Sequence, residues 1–309
     1  MWLLRNLCWN HRANGGFFYA RTIDCKEDEA MLEYPMEFIA LRGKNILVTG
    51  ASSGIGYQLV RLAAEADANV LAVASNEERL SRAVFELRRS YRRTRIDSMI
   101  CDLGQPRAAE KLFHAVESSW VPVDVLINDA GFGDGRDFIE TPFEILSEMI
   151  DTNVRNLTIL TRLLIPGMVE RGYGRVLNLA STGSFVPGPH LAVYCATKAY
   201  VLSLSQAIWH ELAGSGVTVT ALCPGATDTD FARAAGMLDT ALFRRFVMKP
   251  EAVARIGLSA MLKGRRQVTA GTLNRLLTFM VRFSPVRLVL GVTESALRHR
   301  SEPKAGDAL

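Results

Sequence analysis

The sequence predicts an α/β fold, in which a doubly wound parallel sheet carries helices on both faces of a single domain. Apolar strand candidates alternate along the chain with helical stretches, a pattern typical of parallel sheets that are covered on both sides. These candidates are residues 45–49, 69–74, 96–101, 123–127, 175–180 and 217–222. A glycine-rich segment directly follows the first strand candidate. The chain of 309 residues shows no internal repeat and no linker that would divide it, so we expect one domain.

The first strand candidate, residues 45–49, leads through the glycine-rich segment into a helical pattern of apolar residues. Gly50 can supply the tight turn, Gly54 lets the backbone approach a pyrophosphate, and Gly56 lets the new helix pack closely. Free N–H groups at the start of a helix attract phosphates. The sequence therefore predicts a Rossmann-type dinucleotide site around Gly50, Ser52, Ser53, Gly54, Ile55 and Gly56.

A second signature, Tyr194-Cys-Ala-Thr-Lys198, lies about 140 residues further on. On a helix, residues four apart project from one face, about 5–6 Å apart at Cβ. A neighbouring ammonium group lowers the pKa of a tyrosine, which is ordinarily near 10, so we expect Tyr194 to exchange protons at neutral pH. Ser181 follows an apolar strand candidate and can hydrogen-bond a substrate oxygen. Together the two signatures indicate hydride transfer between a nicotinamide cofactor and a carbonyl or alcohol.

From about Leu41 to about Gly271 the chain resembles the short-chain dehydrogenase/reductase family, in its compact branch with a single-domain subunit. The glycines of the first signature match the family's glycine motif, and the matching members of its catalytic tetrad are Asn153, Ser181, Tyr194 and Lys198. The resemblance extends the implied cofactor site over Ser75, Asn76, Asp102, Leu103, Asn128, Ala130, Gly131, Tyr194, Lys198, Pro224, Gly225, Thr227 and Thr229.

One position departs from the family pattern. The family's Asn-Asn-Ala-Gly strand end reads Asn128-Asp129-Ala130-Gly131 here. The resemblance implies that the second asparagine helps to tie the central strands together, and Asp129 takes its place. A buried carboxylate without compensation there would be costly.

The resemblance also implies a mechanism. In the reductive direction, Ser181 and Tyr194 hold the carbonyl oxygen while hydride is delivered to carbon, and Tyr194 gives its proton to the developing alkoxide. Lys198 binds the nicotinamide ribose and, with a water held by Asn153, relays a proton from solvent.

The end of the second strand bears on the choice of cofactor. An acidic residue there accepts the ribose 2′-OH of NAD and repels a 2′-phosphate, and the matching position in this chain is Ala74. The sequence therefore favours NADP, with NAD as the alternative. Ser75, Asn76 and Arg79 are the candidates for contact with a 2′-phosphate, although Arg79 also fits a solvated helix position beside two glutamates.

The substrate is predicted to be a hydrophobic ketone or aldehyde, or the matching secondary alcohol. In the family the segment after the Pro-Gly stretch closes over the substrate, and residues 226–250 are apolar here. An amphipathic helix packed on the body of the protein explains the same pattern. The aromatic and apolar members of this segment are Phe231, Met237, Leu238, Leu242, Phe243, Phe246 and Met248, and the expected opposite wall is Phe185, Val186, Pro187 and His190. A 3-oxoacyl chain, a steroid or retinoid-like compound and a simple aldehyde all remain open.

The two termini lie outside the resemblance. Residues 1–40 are expected to form a weakly ordered extension without a signal peptide or a membrane helix, so a cytoplasmic location is predicted. Residues 272–309 form a basic, amphipathic segment, which either lies on an anionic membrane surface or packs as an interface or lid. Relatives commonly form dimers or tetramers, so a homo-oligomer is expected.

Metal and nucleic-acid sites are not expected. The five cysteines are scattered without ligand spacing, and we interpret them as reduced thiols. The net charge is only +4, and the arginine-rich stretch at residues 88–95 fits a solvated helix end rather than a nucleic-acid motif.

Two further function classes remain open. An epimerase or dehydratase acting on a nucleotide sugar would usually space its glycines differently and add a larger C-terminal domain. A dinucleotide-binding regulator without turnover would not need the four residues of the tetrad.

Overall fold

The computed structural model describes residues 36–236, 240 and 247–297 of the chain. Within them, seven parallel strands form one sheet in the order β3-β2-β1-β4-β5-β6-β7. The strands are β1 (Asn45–Thr49), β2 (Asn69–Ala74), β3 (Ile96–Ile100), β4 (Val125–Asn128), β5 (Gly174–Leu179), β6 (Val217–Cys223) and β7 (Gln267–Thr269). The predicted doubly wound parallel sheet is confirmed.

Helices flank the sheet. They are α1 (Gly54–Glu65), α2 (Glu77–Ser90), α3 (Ala108–Ser119), α4 (Phe143–Ile150), α5 (Leu157–Glu170), α6 (Ala192–Glu211), α7 (Asp230–Ala234), α8 (Pro250–Leu262), α9 (Thr272–Val281) and α10 (Val286–Leu297). A π-helical turn, Asp151–Asn156, joins α4 to α5, and Thr182–Phe185 forms a short 3₁₀ helix.

The core lies on both faces of the central strands. Ile46, Leu47 and Val48 in β1 are fully buried, because helices cover both sides and every residue of the strand meets apolar neighbours. In register, Val48 pairs with Ala72 of β2 and with Ile127 of β4. The strand order reverses between β1 and β4, and open α/β sheets bind ligands at the carboxyl ends of the strands at such a point.

Residues 36–41 differ from the expectation of a weakly ordered terminus. Met36–Leu41 forms a 3₁₀ helix, in which Phe38 and Leu41 are buried. Glu37 forms a 2.6 Å ion pair with Lys263. The packed structure therefore extends to Met36, because two apolar side chains on this turn find partners. The rest of the predicted extension, residues 1–35, lies outside the described residues.

Candidate active site

A cavity of about 870 Å³ runs along the carboxyl ends of the central strands. It begins at the glycine-rich loop, passes Tyr194 and ends under α9 and α10. Volumes of this order are typical of sites for cofactors and small ligands.

The glycine-rich loop has a shape that side chains would fill. Gly50 has φ +70°, and a Cβ added there would lie 2.8 Å from the Ala130 nitrogen. A Cβ on Gly56 would lie 2.3 Å from the Gly50 oxygen. Ser53 precedes α1 without a side-chain capping bond, so first-turn N–H groups remain to bind phosphate. These features fit a dinucleotide, and Gly50, Ser52, Ser53, Gly54 and Ile55 line the cavity, whereas Gly56 lies behind it.

The end of β2 differs from expectation at one position, Asn76. Ser75 lines the cavity, but the Asn76 side chain caps α2 by accepting the Arg79 N–H at 2.9 Å. Asn76 does not line the cavity, because its carbonyl oxygen serves the helix start. Arg79 fits both of its predicted alternatives, since it lines the cavity while its side chain is 62% exposed, 3.6 Å from the Asp230 carboxylate. Asp102 and Leu103 lie on the same wall.

The residue that ties the central strands together is Asn128, not its neighbour. The Asn128 amide donates to Thr161 Oγ1 at 3.0 Å and to Asn178 Oδ1 at 2.9 Å, which joins β4 to β5 and α5. Asn128 is buried and does not line the cavity. Its predicted cofactor contact is therefore not found, and in this chain Asn128 joins the central strands where the family's second asparagine is replaced by Asp129.

Asn153 lies in the π-helical turn, a feature frequent at functional sites. Its amide donates to the Phe132 carbonyl oxygen at 2.9 Å and to Thr197 Oγ1 at 3.1 Å, and its oxygen accepts the Phe132 N–H at 3.1 Å. Asn153 is fully buried and does not line the cavity. It joins the loop after β4 to α6.

Ser181 and Tyr194 share one wall of the cavity. Ser181 Oγ accepts the Gly183 N–H at 3.0 Å, which fixes the hydroxyl at the end of β5. Tyr194 lies on the first turn of α6, with its ring centroid 5.3 Å from that of Phe231. Burial raises the pKa of Tyr194 above its ordinary value, and a hydrogen bond with Ser181 opposes this rise.

The expected lowering of the Tyr194 pKa by Lys198 is therefore not seen. The Lys198 ammonium donates to the Leu179 carbonyl oxygen at 2.7 Å and lies 5.8 Å from the centre of the Tyr194 ring. At that distance its charge does not outweigh the burial of the phenol. The two side chains nevertheless line the same cavity.

Asp129 and Lys198 both line the cavity and interact electrostatically. Lys198 is buried, whereas Asp129 is partly exposed. Burial lowers the pKa of Lys198 to about 8, and the charge of Asp129 opposes this. Burial raises the pKa of Asp129 to about 7, while Lys198 and a hydrogen bond from the Gly56 backbone oppose the rise. The ammonium and the backbone N–H therefore compensate the burial of the Asp129 carboxylate only in part, because its pKa stays well above the ordinary value.

The remaining residues predicted to contact the cofactor line the cavity. Its lining includes Ala130, Gly131, Pro224, Gly225, Thr227 and Thr229. Asn274 of α9 packs so closely on Gly225 that an added Cβ would lie 2.4 Å from its Nδ2 atom.

The last two helices and the turn between them form a wall of the cavity, which agrees with the packing alternative that the sequence left open for residues 272–309. They contribute Asn274, Leu277, Thr278, Met280, Val281, Ser284, Leu288, Val289, Val292, Thr293, Ala296 and Leu297. Thr293 Oγ1 donates to the Pro187 carbonyl oxygen at 3.2 Å, and Leu297 packs in a cluster with Leu191 and Cys195. Regular apolar spacing marked this segment as amphipathic, but its position over the site depends on packing with residues distant in the sequence.

The predicted substrate wall is only partly found. Phe231 and Val186 line the cavity, whereas Phe185, Pro187 and His190 do not. Met248 forms a bridge with Thr227. The other five apolar residues named in the segment after the Pro-Gly stretch, Met237, Leu238, Leu242, Phe243 and Phe246, lie outside the described residues. Within residues 36–236, 240 and 247–297, no group of three His, Cys, Asp or Glu side chains could hold a metal ion.

Known proteins that are similar to this chain in sequence or in structure are dehydrogenases and reductases. A sequence model of the short chain dehydrogenase family matches residues 44–237. A Streptomyces coelicolor protein named "Putative ketoacyl reductase" is 37% identical over 188 residues, which cover 60% of this chain and 71% of that protein.

Two solved structures are similar to the whole fold. A short-chain dehydrogenase from Sphingobium yanoikuyae in complex with NADPH is 25% identical with a TM-score of 0.69, and the match covers 86% of this chain and all of the other. A 3-oxoacyl-[acyl-carrier protein] reductase from Brucella melitensis with bound NAD is also 25% identical, with a TM-score of 0.64 and coverage of 77% and 96%.

Proposed function

This chain belongs to the short chain dehydrogenase family and is an NAD(P)-dependent oxidoreductase acting on CH–OH or C=O groups, and we propose that it reduces a hydrophobic ketone or aldehyde with NADP(H). The observation that carries the proposal is the position of Tyr194 and Ser181. Their hydroxyls lie between the glycine-rich loop and an apolar wall made by α9 and α10.

The chain's own residues hold the substrate oxygen and move its proton. When bound, the nicotinamide cofactor supplies hydride to the carbonyl carbon. Ser181 and Tyr194 donate hydrogen bonds to the carbonyl oxygen, and Tyr194 transfers its proton to the developing alkoxide, which gives the alcohol. The Lys198 ammonium, 5.8 Å from the centre of the Tyr194 ring, offsets part of the cost of the buried phenolate that remains.

Asn153 acts as a positioning residue in this proposal. Both hydrogens of its amide are engaged by the Phe132 carbonyl oxygen and by Thr197 Oγ1. Thr197 directly precedes Lys198 in α6. Asn153 therefore fixes the part of α6 that carries Lys198 and the loop that leads to the cavity.

Two observations support NADP(H) over NAD(H). No acidic side chain stands at Ala74 to repel a 2′-phosphate, and the Arg79 guanidinium lines that end of the cavity. The related structure from Sphingobium yanoikuyae contains NADPH, whereas the Brucella melitensis structure contains NAD. We assign the 2′-phosphate to Ser75 and Arg79.

The apolar wall supports a hydrophobic substrate. Leu277, Val281, Val289 and Leu297 line the cavity beyond Tyr194, and these side chains offer no hydrogen bonds to a sugar. A 3-oxoacyl thioester or a similarly elongated ketone fits such a wall, since apolar area removed from water stabilises the complex by about 25 cal/mol per Å².

A substrate series tests the proposal. NADPH oxidation is followed with 2-ketones of increasing chain length, 3-oxoacyl thioesters, ketosteroids and two polar keto-sugars. We expect kcat/KM to rise with apolar length and to be higher with NADPH than with NADH. Preference for a keto-sugar would contradict the proposed substrate class, and preference for NADH would contradict the assignment of the 2′-phosphate.

A further inference from the structure

The helices α9 and α10 present an apolar surface to solvent, which we call the roof surface. Its exposed large apolar side chains are Leu273, Leu276, Leu277, Phe279, Met280, Phe283, Val286, Leu288, Leu290 and Val292. Phe283 is 73% exposed and Phe279 is 55% exposed, and their rings meet edge to face at 5.3 Å. Large exposed apolar patches mark interaction sites on soluble proteins.

Positive charge surrounds the roof surface. Arg275, Arg282 and Arg287 are exposed on the same two helices and the turn between them. Residues 272–292 include no aspartate or glutamate. Apolar side chains combined with basic ones suit an interface with anionic lipid, where the former enter the acyl boundary and the latter meet the headgroups.

The roof surface reaches the mouth of the active-site cavity. Leu277, Met280, Leu288 and Val292 line the cavity and are also exposed to solvent. Apolar surface is therefore continuous from the outside of α9 and α10 to the space beyond Tyr194.

We propose that the roof surface docks on the surface of an anionic lipid bilayer and brings the cavity mouth against the lipid. Among the helices described, none is long and apolar enough to cross a membrane, so the protein would lie on the bilayer surface. If the proposed function holds, docking also gives the site direct access to apolar carbonyl compounds dissolved in the membrane.

A second copy of the chain fits this surface less well. A two-fold interface places the same patch of both copies face to face. Here that would bring the three arginines of each copy together with no acidic residue of 272–292 between them. An anionic bilayer offers these arginines many phosphates, whereas α9 and α10 of a second copy carry one acidic residue, Glu294.

Vesicle flotation of the full-length protein tests the proposal. We expect the protein to float with vesicles of phosphatidylcholine and phosphatidylglycerol, to float poorly with phosphatidylcholine alone, and to be released by salt. The double variant Phe279→Ser/Phe283→Ser should lower the partition coefficient at least about tenfold, since burial of one phenylalanine changes an equilibrium by about that much.

Matched variants separate the roof surface from the other exposed basic region. Phe85 on α2 is 62% exposed and lies beside Arg89, so Phe85→Ser should leave flotation unchanged. Arg275→Gln/Arg282→Gln should weaken flotation more than Arg92→Gln/Arg93→Gln, which alters the basic stretch after α2. Phe279 and Phe283 do not line the cavity, so their double variant should keep wild-type turnover of a water-soluble ketone.

Three results would overturn the proposal. One is no flotation of the wild-type protein with anionic vesicles. The second is loss of flotation only in the Phe85 or Arg92/Arg93 variants. The third is conversion of a dimer to a monomer by Phe279→Ser/Phe283→Ser in light scattering, which would assign the surface to a contact between copies. Flotation does not depend on turnover, so wild-type protein that floats without reducing any carbonyl would refute the proposed function alone.

Discussion

Asp129 and Lys198 affect each other's protonation in the floor of the active site. Burial alone would favour a neutral carboxyl group and a neutral amine. Each charge instead favours the other, and the Gly56 backbone adds a hydrogen bond to the carboxylate. The family pattern has a neutral asparagine at this position, so this chain has gained a titrating group beside the lysine of its proposed proton-transfer site.

Replacement of Asp129 by asparagine should change how stability depends on pH. The pKa of Asp129 is about 7 in the folded protein and about 3.9 in an unfolded chain. Between these values the folded protein holds a proton that the unfolded chain releases, so the contribution of Asp129 to the free energy of unfolding falls as pH rises. Asp129→Asn removes this fall in stability with rising pH. It also removes the negative charge that raises the pKa of Lys198, so that pKa becomes lower.

The loss of the Asp129 titration and the lower pKa of Lys198 both make the stability of Asp129→Asn, relative to wild type, rise with pH. We therefore expect the free energy of unfolding of Asp129→Asn, relative to wild type, to increase from pH 5 to pH 8 in urea titrations. A difference that stays constant over this range would show that Asp129 is already ionised in the folded protein at pH 5.

Arg79 offers a second test at the residue scale. Its guanidinium lines the cavity near the end of β2, and a hydrogen bond to a charged partner contributes about 1.5–3 kcal/mol. Arg79→Ala should therefore lower kcat/KM for NADPH about tenfold and leave that for NADH nearly unchanged. Arg82→Ala is the matched control, because Arg82 lies on the same helix but pairs with Glu78 and does not line the cavity. An equal loss of kcat/KM with NADPH and with NADH would contradict the proposed contact between Arg79 and the 2′-phosphate.

At the scale of elements, the turn between β1 and α1 depends on the absence of side chains. A Cβ on Gly56 would lie 2.3 Å from the Gly50 carbonyl oxygen and 2.5 Å from Asp129 Oδ2. Because one of these neighbours is backbone, the loop itself would have to move. Gly56→Ala should therefore weaken NADPH binding and lower the melting temperature.

Gly291 in α10 is the matched control for this substitution. An added Cβ there meets no atom within 4 Å, so Gly291→Ala should stabilise the protein by up to about 1 kcal/mol. Fluorescence titration with NADPH and thermal unfolding report both effects. Wild-type cofactor affinity in Gly56→Ala would show that the phosphates do not approach this loop.

Local elements were the most predictable from the sequence. The glycine-rich loop and the Tyr194–Lys198 pair each depend on the spacing of residues within one turn or one helix, and the structure forms both as expected. Strand β7 was not predicted because its three residues carry too little periodicity. The hydrogen bonds of Asn128 and Asn153 were missed for another reason, since their partners lie between 21 and 50 residues away.

At the scale of the whole molecule, the active site combines a family scaffold with a wall specific to the C-terminal helices. The parallel sheet follows from the alternation of strand and helix candidates along the chain, and the cofactor loop follows from the glycine-rich motif. The sequence offered a lid as only one of two alternatives for α9 and α10, because their placement depends on packing between Leu297 and Leu191, more than 100 residues apart. The Arg79–Asp230 ion pair, at 3.6 Å, was not predicted either, because it joins residues that are far apart in the sequence.

Turnover by Tyr194→Phe tests the central claim most directly. The assay measures NADPH oxidation with the preferred carbonyl of the substrate series, and Tyr200→Phe is the control, since Tyr200 lies on the same helix and its hydroxyl bonds to Thr158 at 3.1 Å. Removal of a donor that stabilises the transition state costs about 100-fold or more in kcat. We predict that loss for Tyr194→Phe with NADPH binding retained, and near wild-type kcat for Tyr200→Phe. Wild-type turnover in Tyr194→Phe would contradict the assignment of Tyr194 as the proton donor.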